Sequence, residues 1–269
     1  MAIKQPPLAG VHVLVTRPAH QARMLCHLLE GQGAEVSCAP ALQIVPLQSA
    51  VHIAAIEQAV ASLDTCHIVI FVSVNAAELA IDCFLRSGVV LPDSLELLAV
   101  GKSSADFLQN NGIKADYPVT RMDSEGLLAL PVLQAVAGKR VLIFRGQGGR
   151  ELIADTLTRR GAIVDSCVLY ERQIPQETAG ILAKLRGEFD VLLVNSAESL
   201  QNLLSLVEVE QQKRYKQKHL VVPGPRVAEK ARAQGFSNII TAENATDPAV
   251  CAALIEYVQG RGLKTLDNN

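Results

Sequence analysis

The stretch Gly10–Cys38, GVHVLVTRPAHQARMLCHLLEGQGAEVSC, is the most informative part of the chain, because it returns without a gap as Gly138–Ser166, GKRVLIFRGQGGRELIADTLTRRGAIVDS. The offset is 128 residues throughout, so that Arg17 corresponds to Arg145. Each copy has the pattern of a buried strand that ends in an arginine, an amphipathic helix, a glycine–alanine stop and a second strand. This is the order of a βαβ unit, and we therefore expect the chain to be built of related α/β halves.

A second pair of segments repeats less closely. The segment Ile68–Leu79 (IVIFVSVNAAEL) resembles Asp190–Leu200 (DVLLVNSAESL), and Val100–Gly112 (VGKSSADFLQNNG) resembles Pro223–Gly235 (PGPRVAEKARAQG). In each case a strand passes into a small polar turn that begins a helix. Several helix N termini are therefore expected to be available for binding anions.

Chain length and the order of elements predict two domains. The 269 residues exceed the usual size of one hydrophobic core, roughly 100–150 residues. The segments Ala39–Gln48 and Leu169–Pro175 contain proline and lack helical periodicity, and we interpret them as paired strands that cross between two lobes. The expected fold is α/β, with two doubly wound parallel-sheet lobes joined by a two-stranded β-ladder linker. The first domain is predicted to be discontinuous, comprising residues 1–39 and 173–269, with residues 40–172 inserted as the second domain.

Composition and charge exclude several classes of protein. The chain has 49% hydrophobic, 19% charged and 4% aromatic residues with no Trp, which is typical of a globular protein and not of a base-stacking nucleic-acid surface. The net charge of −2 excludes a broadly basic footprint for nucleic acid, although it is compatible with a locally positive cleft. The N-terminal segment MAIKQPPLAG has no apolar run, and the longest apolar run, Ile68–Val72, is far short of the roughly 20 residues that cross a bilayer. We therefore expect a cytoplasmic protein with no nucleic-acid or membrane partner.

The cysteines and histidines show no metal-binding pattern. The six cysteines have no C-x-x-C spacing, and scattered thiols in a cytoplasmic chain are typically small buried hydrophobes, with a reactive or metal-bound thiol as the alternative. His20 and His27 are seven residues apart, and no H-E-x-x-H pattern accompanies them. The sequence therefore predicts no metal site.

Two nucleotide-binding motifs are present only in part. The sequence RGQGGR at Arg145–Arg150 lies between a strand and a helix, but a dinucleotide fingerprint requires a small residue where Glu151 stands. The sequence GKSS at Gly101–Ser104 resembles the end of a P-loop, but Glu96 occupies the position of the required upstream glycine. A glycine-rich turn between two arginines at a helix N terminus can still bind a carboxylate or a phosphate. A tight turn with two solvated arginines explains the same spacing equally well.

Seven motifs follow one another over nearly the whole chain: VLVTRP at 13–18, FVSVNA at 71–76, AVGKSSA at 99–105, SEGLL at 124–128, FRGQGGRE at 144–151, VLYER at 168–172 and GPRVAE at 224–229. Each motif is weak alone, but jointly and in this order they resemble the uroporphyrinogen-III synthase family. The chain departs from the family pattern at Val72, where the family usually has Thr, and at Asn195–Ala197, where the family's turn is richer in serine.

The resemblance implies an enzyme, a cyclising hydro-lyase of tetrapyrrole (haem) biosynthesis that uses no metal and no organic cofactor. Its substrate, the linear tetrapyrrole hydroxymethylbilane, is expected to bind in a cleft between the lobes. Loss of the terminal hydroxyl gives an azafulvene, which closes through a spiro intermediate to uroporphyrinogen III with the last ring inverted. Without the enzyme the azafulvene closes head to tail as the type I isomer, so the protein must restrain the two ends. We expect a monomer, and a transient handover of substrate from hydroxymethylbilane synthase is left open.

The implied chemistry requires a proton donor for the departing hydroxyl and contacts for the carboxylates of the substrate. With the resemblance, Tyr170 on the interlobe strand is the predicted catalytic proton donor; a tyrosine that only packs is the alternative. The predicted substrate-binding residues supply turn N–H groups, hydroxyls and positive charge: Arg17, Ser73, Asn75, Lys102, Ser103, Ser104, Arg145, Gly146, Arg150, Ser196, Ser199 and Arg226. Singly, each turn residue is as compatible with a helix N-cap as with a ligand contact. Arg17 is equally compatible with a strand-end arginine that pairs with a neighbouring helix.

Two other classes of protein fit parts of the pattern. A non-catalytic two-lobe binding protein for an anionic small metabolite would have the same turns but would not need Tyr170. A nicotinamide-dependent oxidoreductase would need the complete glycine fingerprint, which this chain lacks.

Overall fold

The computed structural model describes residues 5–149 and 151–261. The first half of the chain contains β1 (His12–Val15), α1 (Ala19–Gly31), β2 (Glu35–Cys38), β3 (Gln43–Pro46), α2 (Ala50–Ala61), β4 (Ile68–Phe71), α3 (Val74–Ser87), β5 (Glu96–Ala99), α4 (Lys102–Asn110) and α5 (Ser124–Leu128). The second half contains β6 (Arg140–Gly146), α6 (Leu152–Arg159), β7 (Ile163–Gln173), α7 (Glu177–Leu185), β8 (Val191–Leu193), α8 (Ala197–Ser205), α9 (Val209–Gln217), β9 (His219–Val222), α10 (Pro225–Ala233), β10 (Ile239–Thr241) and α11 (Asp247–Arg261). Over these two described ranges, no helix combines the length and the apolarity needed to cross a membrane.

Two five-stranded sheets form the framework, with the strand orders β10-β9-β8-β1-β2 and β3-β7-β6-β4-β5. The ladders that join β10, β9, β8, β1 and β2 are parallel, as are those that join β7, β6, β4 and β5. Parallel neighbours require long crossover connections, which the helices between the strands provide. The predicted α/β fold class with two parallel sheets is therefore confirmed.

The chain divides into two compact units. Unit 1 comprises Met1–Gln43 and Gln173–Asn269, and unit 2 comprises Ile44–Arg172. The sheet β10-β9-β8-β1-β2 belongs to unit 1. Strands β4, β5 and β6, with nearly all of β3 and β7, belong to unit 2.

Both faces of each sheet are buried. In unit 1, Val13 and Val15 pack with residues of α1 and α11 on one face, whereas Leu14 packs with residues of α7, α8 and α10 on the other. In unit 2, Phe71 packs with residues of α3, and Ile70 packs with residues of α5 and α6. Because successive side chains of a strand point to opposite faces, a sheet that is covered on both sides requires continuous apolar runs. The two sheets are therefore doubly wound.

The two copies of the βαβ repeat have the same strand register. Strand β1 pairs with β2 through Val13 and Val36, and β6 pairs with β7 through the equivalent residues 128 positions later. Gly33 precedes β2 with a φ of 90°, and the corresponding glycine before β7 has a φ of 85°. Glycine is the residue that adopts these angles without strain. The prediction of a βαβ unit for each copy is confirmed.

Strand β7 differs from the expectation. The second strand of the repeat and the predicted crossing segment Leu169–Pro175 form one continuous strand, Ile163–Gln173, of 11 residues. No glycine or proline interrupts residues 163–173, so nothing local ends the strand. Its neighbour β3 covers Gln43–Pro46, which is shorter than the predicted Ala39–Gln48.

The carboxyl ends of β1 and β8 in unit 1, and of β4 and β6 in unit 2, lie at a change in the direction of winding. In unit 1, β2 lies on one side of β1, whereas β8, β9 and β10 lie on the other. In unit 2, β5 lies on one side of β4, whereas β6 and β7 lie on the other. Open α/β sheets bind ligands outside the carboxyl ends of their strands at such a point.

The cysteines follow the expectation only in part. Three are buried, as the sequence predicts: Cys83, Cys167 and Cys251. Cys26 and Cys66 are half-buried, and Cys38 is exposed. Packing as a small hydrophobe therefore does not account for Cys38.

Candidate functional site

The predicted site residues lie at the carboxyl ends of parallel strands or in the first turns of the helices that follow. In unit 2 these residues are Ser73, Asn75, Lys102, Ser103, Ser104, Arg145, Gly146 and, on β7, Tyr170. In unit 1 they are Arg17, Ser196, Ser199 and Arg226. Arg150 lies outside the described residues. Within each unit the predicted residues therefore lie at the same edge of the sheet.

In unit 2, Tyr170 contacts polar side chains of two other residues. Its side chain is 0% exposed, and its hydroxyl lies 3.0 Å from the Oγ of Ser73. Ser73 is the N-cap of α3, where its Oγ accepts a hydrogen bond of 3.0 Å from the backbone N–H of Ala76. The guanidinium carbon of Arg172 lies 5.6 Å from the centre of the Tyr170 ring, and its Nη2 donates a long hydrogen bond of 3.5 Å to the phenol oxygen. Three polar side chains are therefore linked in the order Arg172, Tyr170, Ser73.

Gly146 provides the space that the Tyr170 ring occupies. The two residues pair across the β6–β7 ladder, where the register shifts between Arg145 and Gly146. A Cβ on residue 146 would lie 2.5 Å from Cε2 and 2.6 Å from Cζ of the ring. Both distances are far below carbon–carbon contact, which is optimal at about 3.5–4.0 Å. Gly146, which the sequence predicts as a substrate contact, is therefore also required for the position of the tyrosine.

Arg145 holds the glycine-rich turn closed. It is only 8% exposed, its Nη1 lies 2.5 Å from Oε2 of Glu151, and its Nη2 donates to the carbonyl of Gly148 at 2.6 Å. The alternative of a solvated arginine is therefore wrong for Arg145. Glu151, which breaks the dinucleotide fingerprint, is the carboxylate that pairs with this arginine.

A cavity of about 200 Å³ opens beside this turn. Its lining comprises Val72, Ser124, Ile143, Arg145, Gly146, Gly148, Gly149, Ile153, Ala154 and Arg172. Two guanidinium groups, one hydroxyl and a glycine backbone are groups that bind carboxylates. The sequence analysis did not select Ser124 or Arg172, although the quoted motifs SEGLL and VLYER contain them.

The first turn of α5 positions Ser124. Asp123 is the N-cap of this helix and accepts a hydrogen bond of 2.9 Å from the N–H of Gly126. That N–H first, and then Arg121 at 2.7 Å, lower the pKa of the Asp123 carboxyl, so the cap is ionised at neutral pH. A Cβ on Gly126 would lie 1.7 Å from the carbonyl oxygen of Arg121. The SEGLL motif is therefore a tight capped turn that tolerates only glycine at its third position.

The first turn of α4 presents its side chains unequally. Lys102 is exposed, and its Nζ lies 2.6 Å from Oδ2 of Asp106 on the same helix; this hydrogen bond raises the pKa of the Lys102 ammonium. Ser103 is exposed, whereas Ser104 is buried. Asn75, in the first turn of α3, is half-buried. The charge of Lys102 is therefore balanced within its own helix.

In unit 1, Ser196 has the same position at α8 that Ser73, 123 residues earlier, has at α3. Ser196 accepts a hydrogen bond of 3.0 Å from the N–H of Ser199, as an N-cap. The hydroxyl of Ser199 is buried and donates to Oδ1 of Asn195 at 2.9 Å. Arg226 is exposed in the first turn of α10. Ser196 and Ser199 thus satisfy hydrogen bonds of their own turn, the alternative that the sequence left open.

Arg17 also pairs within its own unit. Its Nη1 forms a salt bridge with Asp247, the first residue of α11, and its Nη2 donates to the carbonyl of Ala245 at 2.8 Å. Arg17 therefore forms the strand-end pair with a neighbouring helix that the sequence left as one of two interpretations.

Among the residues described here, no group of three or more His, Cys, Asp or Glu side chains is placed to hold a metal ion.

Comparisons of the sequence with known proteins agree with one another. A family model described as uroporphyrinogen-III synthase HemD matches residues 24–252. The uroporphyrinogen-III synthase of Escherichia coli (strain K12) is 35% identical over 251 residues, which cover 90% of this chain and 99% of that protein. The protein of the same name from Salmonella typhimurium is 33% identical over 247 residues, with the same shares of 90% and 99%.

Solved structures of the same description share the fold. A mutant uroporphyrinogen III synthase from the extremely thermophilic bacterium Thermus thermophilus has a TM-score of 0.68 at 16% identity, and the match covers 93% of this chain and 98% of that one. Uroporphyrinogen-III synthetase from Helicobacter pylori 26695 has a TM-score of 0.54 at 14% identity, over 91% and 97% of the two chains. At these identities the likeness concerns the fold alone.

Replacing Gly146 by Ala is expected to destabilise the protein, because the new Cβ and the Tyr170 ring cannot occupy the same space. Overpacking of this kind costs about 1–3 kcal/mol, measured as the free energy of unfolding in urea. Gly101→Ala is the matched control, since its φ is extended and its nearest new contact, Met122, lies at an ordinary 3.4 Å. Equal unfolding free energies for the two variants would contradict the seating of Tyr170 on Gly146.

Proposed function

Because the chain belongs to the uroporphyrinogen-III synthase family, we propose that its active site lies at the carboxyl ends of β4 and β6 in unit 2, with Arg172, Tyr170 and Ser73 as a hydrogen-bonded proton source. The protein is a hydro-lyase that converts hydroxymethylbilane to uroporphyrinogen III in tetrapyrrole biosynthesis. The contact of 3.0 Å between the Tyr170 hydroxyl and Ser73 Oγ carries the proposal for the site.

The reaction requires a proton at the oxygen that leaves. Hydroxide is a poor leaving group, and a positioned acid that delivers a proton to it accelerates such a step by about 10²–10⁴-fold. The later steps rearrange carbon–carbon bonds within the substrate and need restraint of its ends, not a protein nucleophile. The groups to be identified are therefore a proton donor and a set of anion contacts.

Ser73 has the hydrogen-bonding capacity to pass a proton outward. A serine hydroxyl has one donor hydrogen and two acceptor lone pairs. The N–H of Ala76 occupies one lone pair, and the Tyr170 hydroxyl can donate to the other. The hydrogen of Ser73 then remains for the departing hydroxyl of the substrate. Because Tyr170 has no exposed surface whereas Ser73 is half-buried, Ser73 is the member of the pair that reaches the substrate.

Arg172 places a positive charge beside the phenol oxygen. As the proton moves from Tyr170 towards Ser73, negative charge develops on the phenol oxygen. The guanidinium donates to this oxygen at 3.5 Å and lies over the ring, so its positive charge attracts the negative charge that develops there. The proposed proton source therefore includes Arg172, whose positive charge lies near both the ring and the oxygen of Tyr170.

The cavity beside the glycine-rich turn is proposed to hold a carboxylate of the substrate. Ser124, Arg145 and Arg172 line it, and charge-assisted hydrogen bonds of this type contribute roughly 1.5–3 kcal/mol each. Arg145 is paired with Glu151, which partly neutralises the positive charge that Arg145 offers to a substrate carboxylate. The backbone of Gly146, Gly148 and Gly149 also lines the cavity.

The other substrate contacts expected from the sequence stay predictions: Arg17, Asn75, Lys102, Ser103, Ser104, Arg150, Ser196, Ser199 and Arg226. Of these, Arg17 and Lys102 already bind the carboxylates of Asp247 and Asp106. To contact the substrate they would have to exchange one carboxylate for another. Arg145 is also paired with a carboxylate, but it lines a cavity together with Ser124 and Arg172, and we therefore give greater weight to the residues that line the cavity.

We further propose that the two compact units are the two domains of a cytoplasmic monomer. The predicted domain boundaries fall at residues 39/40 and 172/173, and the units change at Gln43/Ile44 and Arg172/Gln173, which supports this division. A handover of hydroxymethylbilane from its synthase stays a prediction, as does activity without a metal or an organic cofactor.

An isomer assay tests the activity directly. Hydroxymethylbilane is incubated with and without the protein, the products are oxidised, and the type I and type III uroporphyrins are separated. We expect type III product only with the protein, because free hydroxymethylbilane closes to type I. An unchanged proportion of type I would instead indicate the non-catalytic binding protein for an anionic metabolite.

Replacing Tyr170 by Phe or Ser73 by Ala is expected to lower the turnover number for type III formation by at least about 10-fold, because each change interrupts the proton chain. Ser49→Ala is the matched control, since it removes the N-cap of α2 in the same unit at a residue that is not a predicted substrate contact and has no tyrosine partner. Loss of either cap is expected to cost about 1 kcal/mol of unfolding free energy. Tyr170→Phe should cost less than about 1 kcal/mol.

The ratio of turnover numbers distinguishes the proton chain from a role in packing. Ser73→Thr keeps the hydroxyl and should retain most of the activity, whereas Ser73→Ala should not. Full activity of Tyr170→Phe, or equal losses in Ser73→Ala and Ser49→Ala, would mean that the essential donor lies elsewhere.

Replacing Arg145 by Gln is expected to raise the Michaelis constant about 10-fold with a smaller fall in turnover, because the charge binds the ground state and the transition state alike. Arg140→Gln is the control: it removes the same charge at the other end of β6, where Arg140 lies 3.5 Å from Asp165. The measurement is a series of substrate concentrations at fixed ionic strength, with unfolding free energies alongside. An unchanged Michaelis constant in Arg145→Gln would mean that Arg145 stabilises the glycine-rich turn and does not bind the substrate.

A further inference from the structure

Two free cysteines of unit 1 are in contact. Cys26 lies in the middle of α1 and Cys38 is the last residue of β2, and their sulfur atoms are 3.2 Å apart. Cys26 is half-buried and Cys38 is exposed. In the part of the chain that the structure describes, this is the only hydrogen bond between two cysteine sulfurs.

The fold itself holds the two thiols together. Cys38 is two residues after Val36, so both side chains lie on the same face of the sheet, and Val36 packs on that face with Leu25 and Leu29 of α1. Strand β2 is at the edge of its sheet, which leaves Cys38 open to small molecules. A buried helix face and an edge strand thus bring an accessible thiol against a half-buried one.

We propose that Cys26 and Cys38 form a reversible modification site, a dithiol that a small-molecule disulfide such as glutathione disulfide oxidises to an intramolecular disulfide. Disulfides in cytosolic proteins are characteristically transient, which is the behaviour expected of an accessible pair of this kind. The site is separate from the proton source in unit 2 and does not depend on the proposed function.

The chemistry balances in two exchange steps. The Cys38 thiolate attacks one sulfur of glutathione disulfide, so that a mixed disulfide forms on Cys38 and one glutathione thiolate leaves. The Cys26 thiolate then attacks the Cys38 sulfur, the intramolecular bond forms, and the second glutathione leaves. Two protein thiols are oxidised, one glutathione disulfide is reduced to two glutathione thiols, and the two protein protons pass to these thiols through the solvent.

The order of attack follows from accessibility and charge. Burial, and then the Cys38 thiol, raise the pKa of the Cys26 thiol to about 12, so Cys26 is a poor initial nucleophile. Cys38 is exposed and makes the first attack. The second step is intramolecular between atoms already in contact, and such proximity compensates for the small thiolate fraction of Cys26.

The other cysteines serve as internal references. Cys83, Cys167 and Cys251 are buried, and burial raises the pKa of the Cys167 thiol to about 12. Cys66 is half-buried like Cys26, but its thiol donates to the carbonyl of Ser62 at 3.4 Å. Cys66 therefore tests whether partial exposure alone permits oxidation.

The test equilibrates the full-length protein in buffers of graded glutathione to glutathione disulfide ratio, followed by alkylation and peptide mass spectrometry. We expect Cys26 and Cys38 to lose alkylation together, with a cross-linked peptide that has lost two hydrogen atoms and that dithiothreitol restores. Because the cross-link closes residues 26–38 into a ring, the unfolding midpoint should rise by about 5 °C or more in the oxidised protein.

Three variants complete the test. Cys26→Ala is expected to stop at a glutathione adduct on Cys38, Cys38→Ala to remain reduced at Cys26, and Cys66→Ala to oxidise like the unaltered protein. The proposal is overturned if the unaltered protein stays reduced in every buffer, if it accumulates only the glutathione adduct on Cys38, or if its disulfides join two chains.

Discussion

The ring of Tyr170 rests on the backbone of Gly146, and the site in unit 2 is arranged around that contact. No side chain fits at residue 146, because its Cβ would lie 2.5 Å from the ring. The seated ring directs the phenol oxygen to Ser73, which also caps α3 through the N–H of Ala76. A sheet and a helix N terminus therefore fix the same hydroxyl pair from two sides. Such support from rigid elements keeps polar groups in a reactive geometry without reorganisation.

Unit 1 has the same framework without this chemistry. Ser196 caps α8 as Ser73 caps α3, but its neighbours are Ser199 and Asn195, which bond to each other. The residue that corresponds to Tyr170 at the offset of 128 is Leu42, which is buried and apolar. The equivalent arginines of the two repeats, Arg17 and Arg145, have a structural role in common. Each one lies at the end of its strand and binds both a loop carbonyl and a carboxylate. The two copies of the repeat thus form the same scaffold, and only the copy in unit 2 carries the phenol of Tyr170.

The fold was predictable from the sequence because its signals are local and repeated. Apolar runs such as Ile68–Phe71 indicate strands covered on both faces, and the glycine that precedes each second strand marks the turn. The seven motifs pointed to the family and to Tyr170.

The site could be predicted only in part, because it depends on contacts between distant segments: Arg172 over the ring, Glu151 on Arg145, and the burial of the phenol. The length of β7 was also missed, although the sequence carries its signal, because no glycine or proline interrupts residues 163–173.

The order of the repeats gives the chain an unusual connectivity. If the βαβ segments at Gly10–Cys38 and Gly138–Ser166 are named A, and the α/β segments that begin at Ile68 and Asp190 are named B, the chain reads A-B-A-B. Unit 2 combines the middle B with the second A, whereas unit 1 combines the first A with the last B. This is the pattern of a tandem duplication in which the halves have exchanged partners, so that one unit is a circular permutation of the other. The backbone consequently passes between the units twice, and a single proteolytic cut cannot release either of them.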